Sequence, residues 1–178
     1  MTPTTSSQTI GPYWHLLEDR KWADLTRFGA SGERIALLGT IADGDGQPVS
    51  DACVEIWQAS PPPDATWDGF GRAATDAQGR YRFITLKPGP VPAASGTNRM
   101  QAPHIAMIVF ARGLLRGLAT RAYFDGEPLN EHDPLLESLA PRRRATLLAA
   151  PLGPQDGVQS WRLDIRLQGG EETVFLDI

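Results

Sequence analysis

Fifteen prolines and 18 glycines interrupt this chain of 178 residues, and the runs between them are short and rich in β-forming side chains. Proline lacks a backbone donor and glycine weakens a helix interior by about 1 kcal/mol, so long helices are largely excluded. A sandwich or barrel of short strands remains. With ~100–200 residues per domain, the length fits one domain, large enough to bury ~70% of its unfolded surface without a disulfide or metal staple.

Strand candidates follow in order. Arg34–Ile41 precedes Asp43-Gly44-Asp45-Gly46-Gln47-Pro48, whose residues preset a turn. Asp43 and Asp45 lack the spacing and terminal glutamate of a calcium loop and read as turn formers. A second strand, 52–59, alternates Cys53, Glu55 and Trp57 with Val54, Ile56 and Gln58. Ser60–Phe70, headed by Pro61-Pro62-Pro63, is a loop because proline cannot serve a central ladder. Residues 71–75 and 81–86 flank Asp76-Ala77-Gln78-Gly79 and read as a hairpin. Another loop fills 91–102. His104–Ala111 and Ala119–Phe124 are predicted as the central strands, the first apolar after His104. Pro134–Ala149 fits one or two short helices, and Trp161–Leu167 alternates apolar with charged positions. Residues 1–32 show no sustained period but carry Tyr13, Trp14, Trp22 and Phe28, an aromatic arm expected to lie on a surface. The division is therefore an N-terminal arm, 1–32, and a β domain, 33–178.

Charge and cysteine content narrow the function. Seventeen basic and 21 acidic residues give a net charge of −4, the wrong sign for a nucleic-acid footprint. The single cysteine, Cys53, forms no internal disulfide and no thiolate cluster, and its strand setting marks it as an inert small hydrophobe. Residues 1–10 hold no basic residue and no apolar block, and the longest apolar run, Ile105–Ala111, has seven residues against the ~20 needed to cross a bilayer. A soluble, cytoplasmic chain is expected. No nucleophile elbow and no glycine-rich phosphate loop occurs. His15, His104 and His132 fall at no ligand-like spacing, so His104 reads as a packed or hydrogen-bonded histidine. Arg112 and Arg121, embedded in predicted β structure, must point outward or find a partner, and an anionic ligand is one candidate.

The ordered motifs Leu37-Leu38-Gly39, Asp43-Gly44-Asp45-Gly46, Val54-Glu55-Ile56-Trp57-Gln58-Ala59, Phe70-Gly71-Arg72, Leu86-Lys87-Pro88-Gly89, Ala102-Pro103-His104-Ile105 and Tyr123-Phe124-Asp125 span almost the whole chain. Their order resembles the intradiol ring-cleavage dioxygenases. Thr9-Ile10-Gly11-Pro12-Tyr13, Phe110-Ala111-Arg112-Gly113 and the ending from Arg162 resemble the α subunit of the heteromeric members. The resemblance implies an all-β, transthyretin-like β-sandwich of the intradiol type, with an N-terminal arm and short C-terminal helices. It implies a hetero-oligomer of αβ units acting on a small aromatic carboxylate, with ferric iron held in the β subunit by two tyrosines and two histidines.

In this chain Val91 stands where one tyrosine is expected, Ala106 where the second histidine is, and residues 60–70 contain no tyrosine; His104 alone is kept. No metal and no catalytic residue of its own is expected here, and Val91, His104 and Ala106 mark a vestigial site. The resemblance assigns substrate contacts to Thr9, Gly11, Pro12, Tyr13 and Arg112, the arginine facing the carboxylate. The alternative is a non-enzymatic transthyretin-like binding or assembly module.

Overall fold

The computed structural model describes residues 9–11, 13–93 and 98–177. Among the described residues eleven strands form: β1 (Arg34–Ala42), β2 (Cys53–Trp57), β3 (Phe70–Ala74), β4 (Arg80–Leu86), β5 (Val91–Pro92), β6 (Met100–Gln101), β7 (His104–Phe110), β8 (Leu118–Phe124), β9 (Leu148–Gln155), β10 (Val158–Arg162) and β11 (Ile165–Arg166). Two one-turn helices, α1 (Pro134–Ser138) and α2 (Pro141–Ala145), each begin on a proline. The expected all-β class with short C-terminal helices is present.

The strands run β11-β1-β10-β9-β8-β7-β2-β3, with β4 also on β1, while β5 and β6 pair separately. Only two residue pairs, Tyr123–Leu148 and Phe124–Ala149, join β8 to β9, so the long sheet folds over into two layers. Ile35, Leu37 and Phe83 from one layer meet Val54, Ile56, Met107 and Val109 from the other in one buried core. The alternation that makes this possible is sharp in β7: Ile105, Met107 and Val109 are buried while His104, Ala106, Ile108 and Phe110 are half-buried on the outer face.

The loop expected over 91–102 carries the short antiparallel pair β5–β6, and three further expectations need correction. Residues 71–75 and 81–86 do not form a hairpin: β3 pairs with β2, and β4 pairs with β1 from Arg34–Leu86 to Thr40–Arg80. The intervening turn is tied to β1, whose Ile41 amide donates to the Gly79 carbonyl at 2.8 Å. Gly79, at φ +69°, lets that turn carry the chain from one layer to the other. Leu148 and Ala149, expected to end the helical stretch, instead open the strand β9. Its Pro151 and Pro154 are tolerated because β8 reaches only Leu148 and Ala149 and leaves the rest of that edge open. The alternating run from Trp161 breaks at Leu163 and Asp164, where the Leu163 amide donates to the Leu38 carbonyl (2.9 Å) and the Asp164 carboxylate accepts from Thr40 N (2.9 Å). Part of the arm packs on its own domain, with Leu25 buried in the core and Trp22 edge-on to Phe70 at 6.1 Å.

Cys53 is fully buried, and burial pushes its thiol up to about 12. At pH 8 its thiolate fraction is therefore on the order of 10⁻⁴. An aromatic disulfide reagent is expected to titrate no thiol in the native chain and one after denaturation; prompt native reaction would contradict the packing.

Candidate functional site

Two groups of residues gather on the outside of the β2–β7–β8 layer and at its end. The first surrounds Val91, His104 and Ala106. Antiparallel pairing sets Ala106 beside Arg121 of β8 and Trp57 of β2, and sets Val91 beside Gln101. Arg121 Nη1 donates to Gln101 Oε1 (2.6 Å) and to the Tyr123 hydroxyl (3.1 Å), so a guanidinium links the three positions. The Tyr123 hydroxyl donates to Asp133 Oδ1 at 3.2 Å. His104 tilts against the Tyr123 ring at 5.2 Å and donates from Nδ1 to the Ala102 carbonyl at 2.8 Å.

The electrostatics of this group do not suit a ferric ion. Burial, with the Arg121 charge adding to it, holds the His104 imidazole below its ordinary range despite its carbonyl partner. Burial likewise pushes the Tyr123 hydroxyl up, away from the phenolate a metal would need. Val91 and Ala106 offer no donor atom, and the guanidinium beside them would repel a cation. Among the described residues no group of three or more His, Cys, Asp or Glu side chains is placed to hold a metal. One imidazole does not keep ferric iron against hydrolysis, so these residues do not fit the cofactor of the fold family.

The second group lies where β7 ends and the arm returns. Gly11, Trp14, Asp51 and Arg112 line one hollow of about 330 Å³. Arg112 Nε sits 3.0 Å from Asp51 Oδ2, and Trp14 Nε1 donates to the Asp51 carbonyl at 3.3 Å. Asp51 thus contacts both the arm, through its carbonyl, and the arginine, through its carboxylate. Tyr13 is exposed and lines an adjoining hollow of about 310 Å³ with Ile10, Trp14 and Arg72. Thr9 is exposed, its hydroxyl 3.5 Å from the Gly11 amide, and Pro12 lies outside the described residues. The structure therefore brings Gly11 to Arg112, with Tyr13 in the next hollow. Sequence reasoning missed Asp51 and Trp14 as the groups that position them, and missed Gln101, Tyr123 and Asp133 around Arg121. Nothing in the local sequence of Asp51 distinguishes it from other turn aspartates, and Asp133, set before Pro134 as an N-cap is, carries no mark of its bonds to Ala102 and Tyr123.

The folded-over sheet has the fold of an intradiol-type dioxygenase domain. A family model described as Dioxygenase matches residues 17–169, and the chain belongs to the intradiol ring-cleavage dioxygenase family. Over 99% of its length it is 40% identical to the protocatechuate 3,4-dioxygenase alpha chain of Pseudomonas putida, covering 98% of that protein. It is also 31% identical over 96% of its length to the protocatechuate 3,4-dioxygenase beta chain of Burkholderia cepacia, covering 78% of that protein. In fold it matches the dioxygenase domain of a dioxygenase and carbohydrate-binding protein fusion from Streptomyces sp. SirexAA-E. That match has a TM-score of 0.64 and 22% identity, covering 97% of this chain and all of that one. These likenesses do not favour the non-enzymatic module. Among the described residues no helix is long and apolar enough to cross a membrane.

Proposed function

We propose that this chain is the α subunit of a protocatechuate 3,4-dioxygenase, a cytoplasmic hetero-oligomer of αβ units that binds no nucleic acid and no membrane. The observation that carries the reading is the donor deficit at His104: an intradiol sandwich retains one of the four expected iron ligands and sets Arg121 among their places. Ferric iron then belongs to the β subunit, where it supplies the oxygen chemistry that opens protocatechuate to 3-carboxy-cis,cis-muconate.

This chain's contribution is orientation, charge and exclusion of water at a shared surface. The arm of residues 1–32, through Thr9, Gly11, Pro12 and Tyr13, covers the partner's site, and Arg112 supplies the cation for the substrate carboxylate. Arg112 is suited to this because its present partner holds it weakly. Its side chain is 79% exposed, and an exposed pair such as Arg112–Asp51 is easily exchanged for a carboxylate in a less hydrated site.

The test is to purify the chain alone and co-expressed with an intradiol β chain, then measure iron and oxygen uptake with protocatechuate. Turnover is expected from the assembly only. Arg112→Ala is expected to raise KM by about tenfold to a hundredfold at unchanged iron content. Iron-dependent turnover by the single chain would overturn the assignment, and failure to assemble would favour the binding-module reading. Unaltered kcat and KM in Arg112→Ala would leave Arg112 a scaffold residue.

A further inference from the structure

The outer face that carries Ala106 also walls a hollow of about 300 Å³ between β2, β7 and β8. Trp57, Phe70, Ile108 and Leu176 give it apolar sides, and Trp57 remains 52% exposed at its edge. Two charged side chains border it, Glu55 and Arg121. Glu55 is already neutralised by Arg72, whose Nε donates to it at 2.9 Å.

Arg121 has no such partner among the described residues. Its Nη1 serves two neutral oxygens, those of Gln101 and Tyr123, while Nε and Nη2 make no hydrogen bond to any described residue. No carboxylate among the described residues lies within 4.0 Å of the guanidinium. Asp133, on the far side of Tyr123, is saturated by Tyr123 Oη and the amides of Ala102, Leu135 and Leu136. A half-buried guanidinium with one edge of its fork open, set at the rim of an aromatic-walled hollow, is complementary to a flat ring bearing a carboxylate. The carboxylate would take the Nε–Nη2 edge in the bidentate geometry that lysine cannot copy, and the ring would cover Trp57. The volume is at the small end for ligand pockets, which fits a single ring. An apolar partner segment laid over the same face would bury the open fork without a partner, a costly arrangement.

We infer that this hollow binds a single-ring aromatic carboxylate, held by Arg121 and stacked on the Trp57 side. The inference goes beyond the proposed function and rests on it only through the assembly used for the test. The probe is 4-fluorobenzoate, its uptake by the purified αβ assembly measured by equilibrium dialysis and fluorine NMR. The wild-type assembly is expected to take up one equivalent per αβ pair more than assemblies carrying Arg121→Gln or Ala106→Phe. The first substitution removes the fork; the second fills the hollow and leaves the arginine. The neutral analogue 4-fluorobenzamide is expected to bind this equivalent at least tenfold more weakly. Equal uptake by the three assemblies, or equal binding of the amide, would overturn the inference. Should Arg121→Gln fail to fold, Ala106→Phe alone decides. Failure to form any αβ assembly would defeat the functional reading instead, and the same comparison is then made on the single chain.

Discussion

Asp133→Ala is expected to lower the stability of this chain by about 3–5 kcal/mol, the larger part coming from buried donors left without an acceptor. Asp133 is fully buried, and its two oxygens accept from four groups: the amides of Ala102 (2.9 Å), Leu135 (2.9 Å) and Leu136 (3.1 Å), and the Tyr123 hydroxyl (3.2 Å). Two of these cap α1, an N-cap arrangement whose loss costs ~1 kcal/mol in typical hosts. The Ala102 amide and the Tyr123 hydroxyl have no compensating solvent, since both residues are fully buried. Asp133→Asn should be milder, because its carbonyl oxygen can still cap the helix while its amide group meets the Ala102 N–H as donor against donor. The expected readout is a denaturant midpoint ordered wild type, Asn, Ala at constant m-value. An alanine variant within ~1 kcal/mol of wild type would show that these donors reach water. Because Asp133 orients Tyr123, which in turn accepts from Arg121, the same variant should also weaken 4-fluorobenzoate uptake.

The elements legible in the sequence are those whose signal is carried by their own side chains. β7 announces itself by Ile105, Met107 and Val109, and β1 by its apolar run, because an inward face must be apolar whatever strand lies next to it. The partner of a strand is not written in the same way. Residues on both sides of Asp76–Gly79 satisfy a hairpin pattern, yet β4 gains seven register pairs on β1, and the turn itself bonds to Ile41. β9 was hidden by its prolines, which are permitted only because a neighbouring edge happens to be open. The site divides along the same line. Ordered motifs single out Gly11 and Arg112, which the structure sets along one hollow, and their gaps single out Val91 and Ala106; the roles of these residues remain proposals. Asp133 caps α1 locally, but its bonds to Ala102 and Tyr123, like those of Asp51 to Trp14 and Arg112, reach far along the chain, and a single sequence holds no trace of them.

Gly39→Ala is expected to be the most damaging single-methyl addition in the β1 strand, with an apparent loss of about 3–5 kcal/mol and a melting temperature lower by ~10 °C or more. Gly39 sits where β1 passes closest to the connection between β10 and β11. A Cβ built there would lie 1.8 Å from the Leu163 carbonyl oxygen and 2.9 Å from the Tyr81 hydroxyl. The first obstacle is backbone and cannot rotate away. It is also the acceptor for the Tyr81 hydroxyl, at 2.6 Å, and the Leu163 amide is itself bound to the Leu38 carbonyl at 2.9 Å. Moving Leu163 aside therefore strips a nearly fully buried tyrosine hydroxyl of its partner and loosens β1 from its neighbour at once. Tyr81→Phe in the same background should recover only part of the loss, since it removes the orphaned hydroxyl but not the collision with the carbonyl. Gly170→Ala is the control: nothing lies within 4 Å of its added methyl, and it should melt with wild type. If Gly39→Ala melted with that control, the approach of β1 to Leu163 would have to be looser than the structure places it.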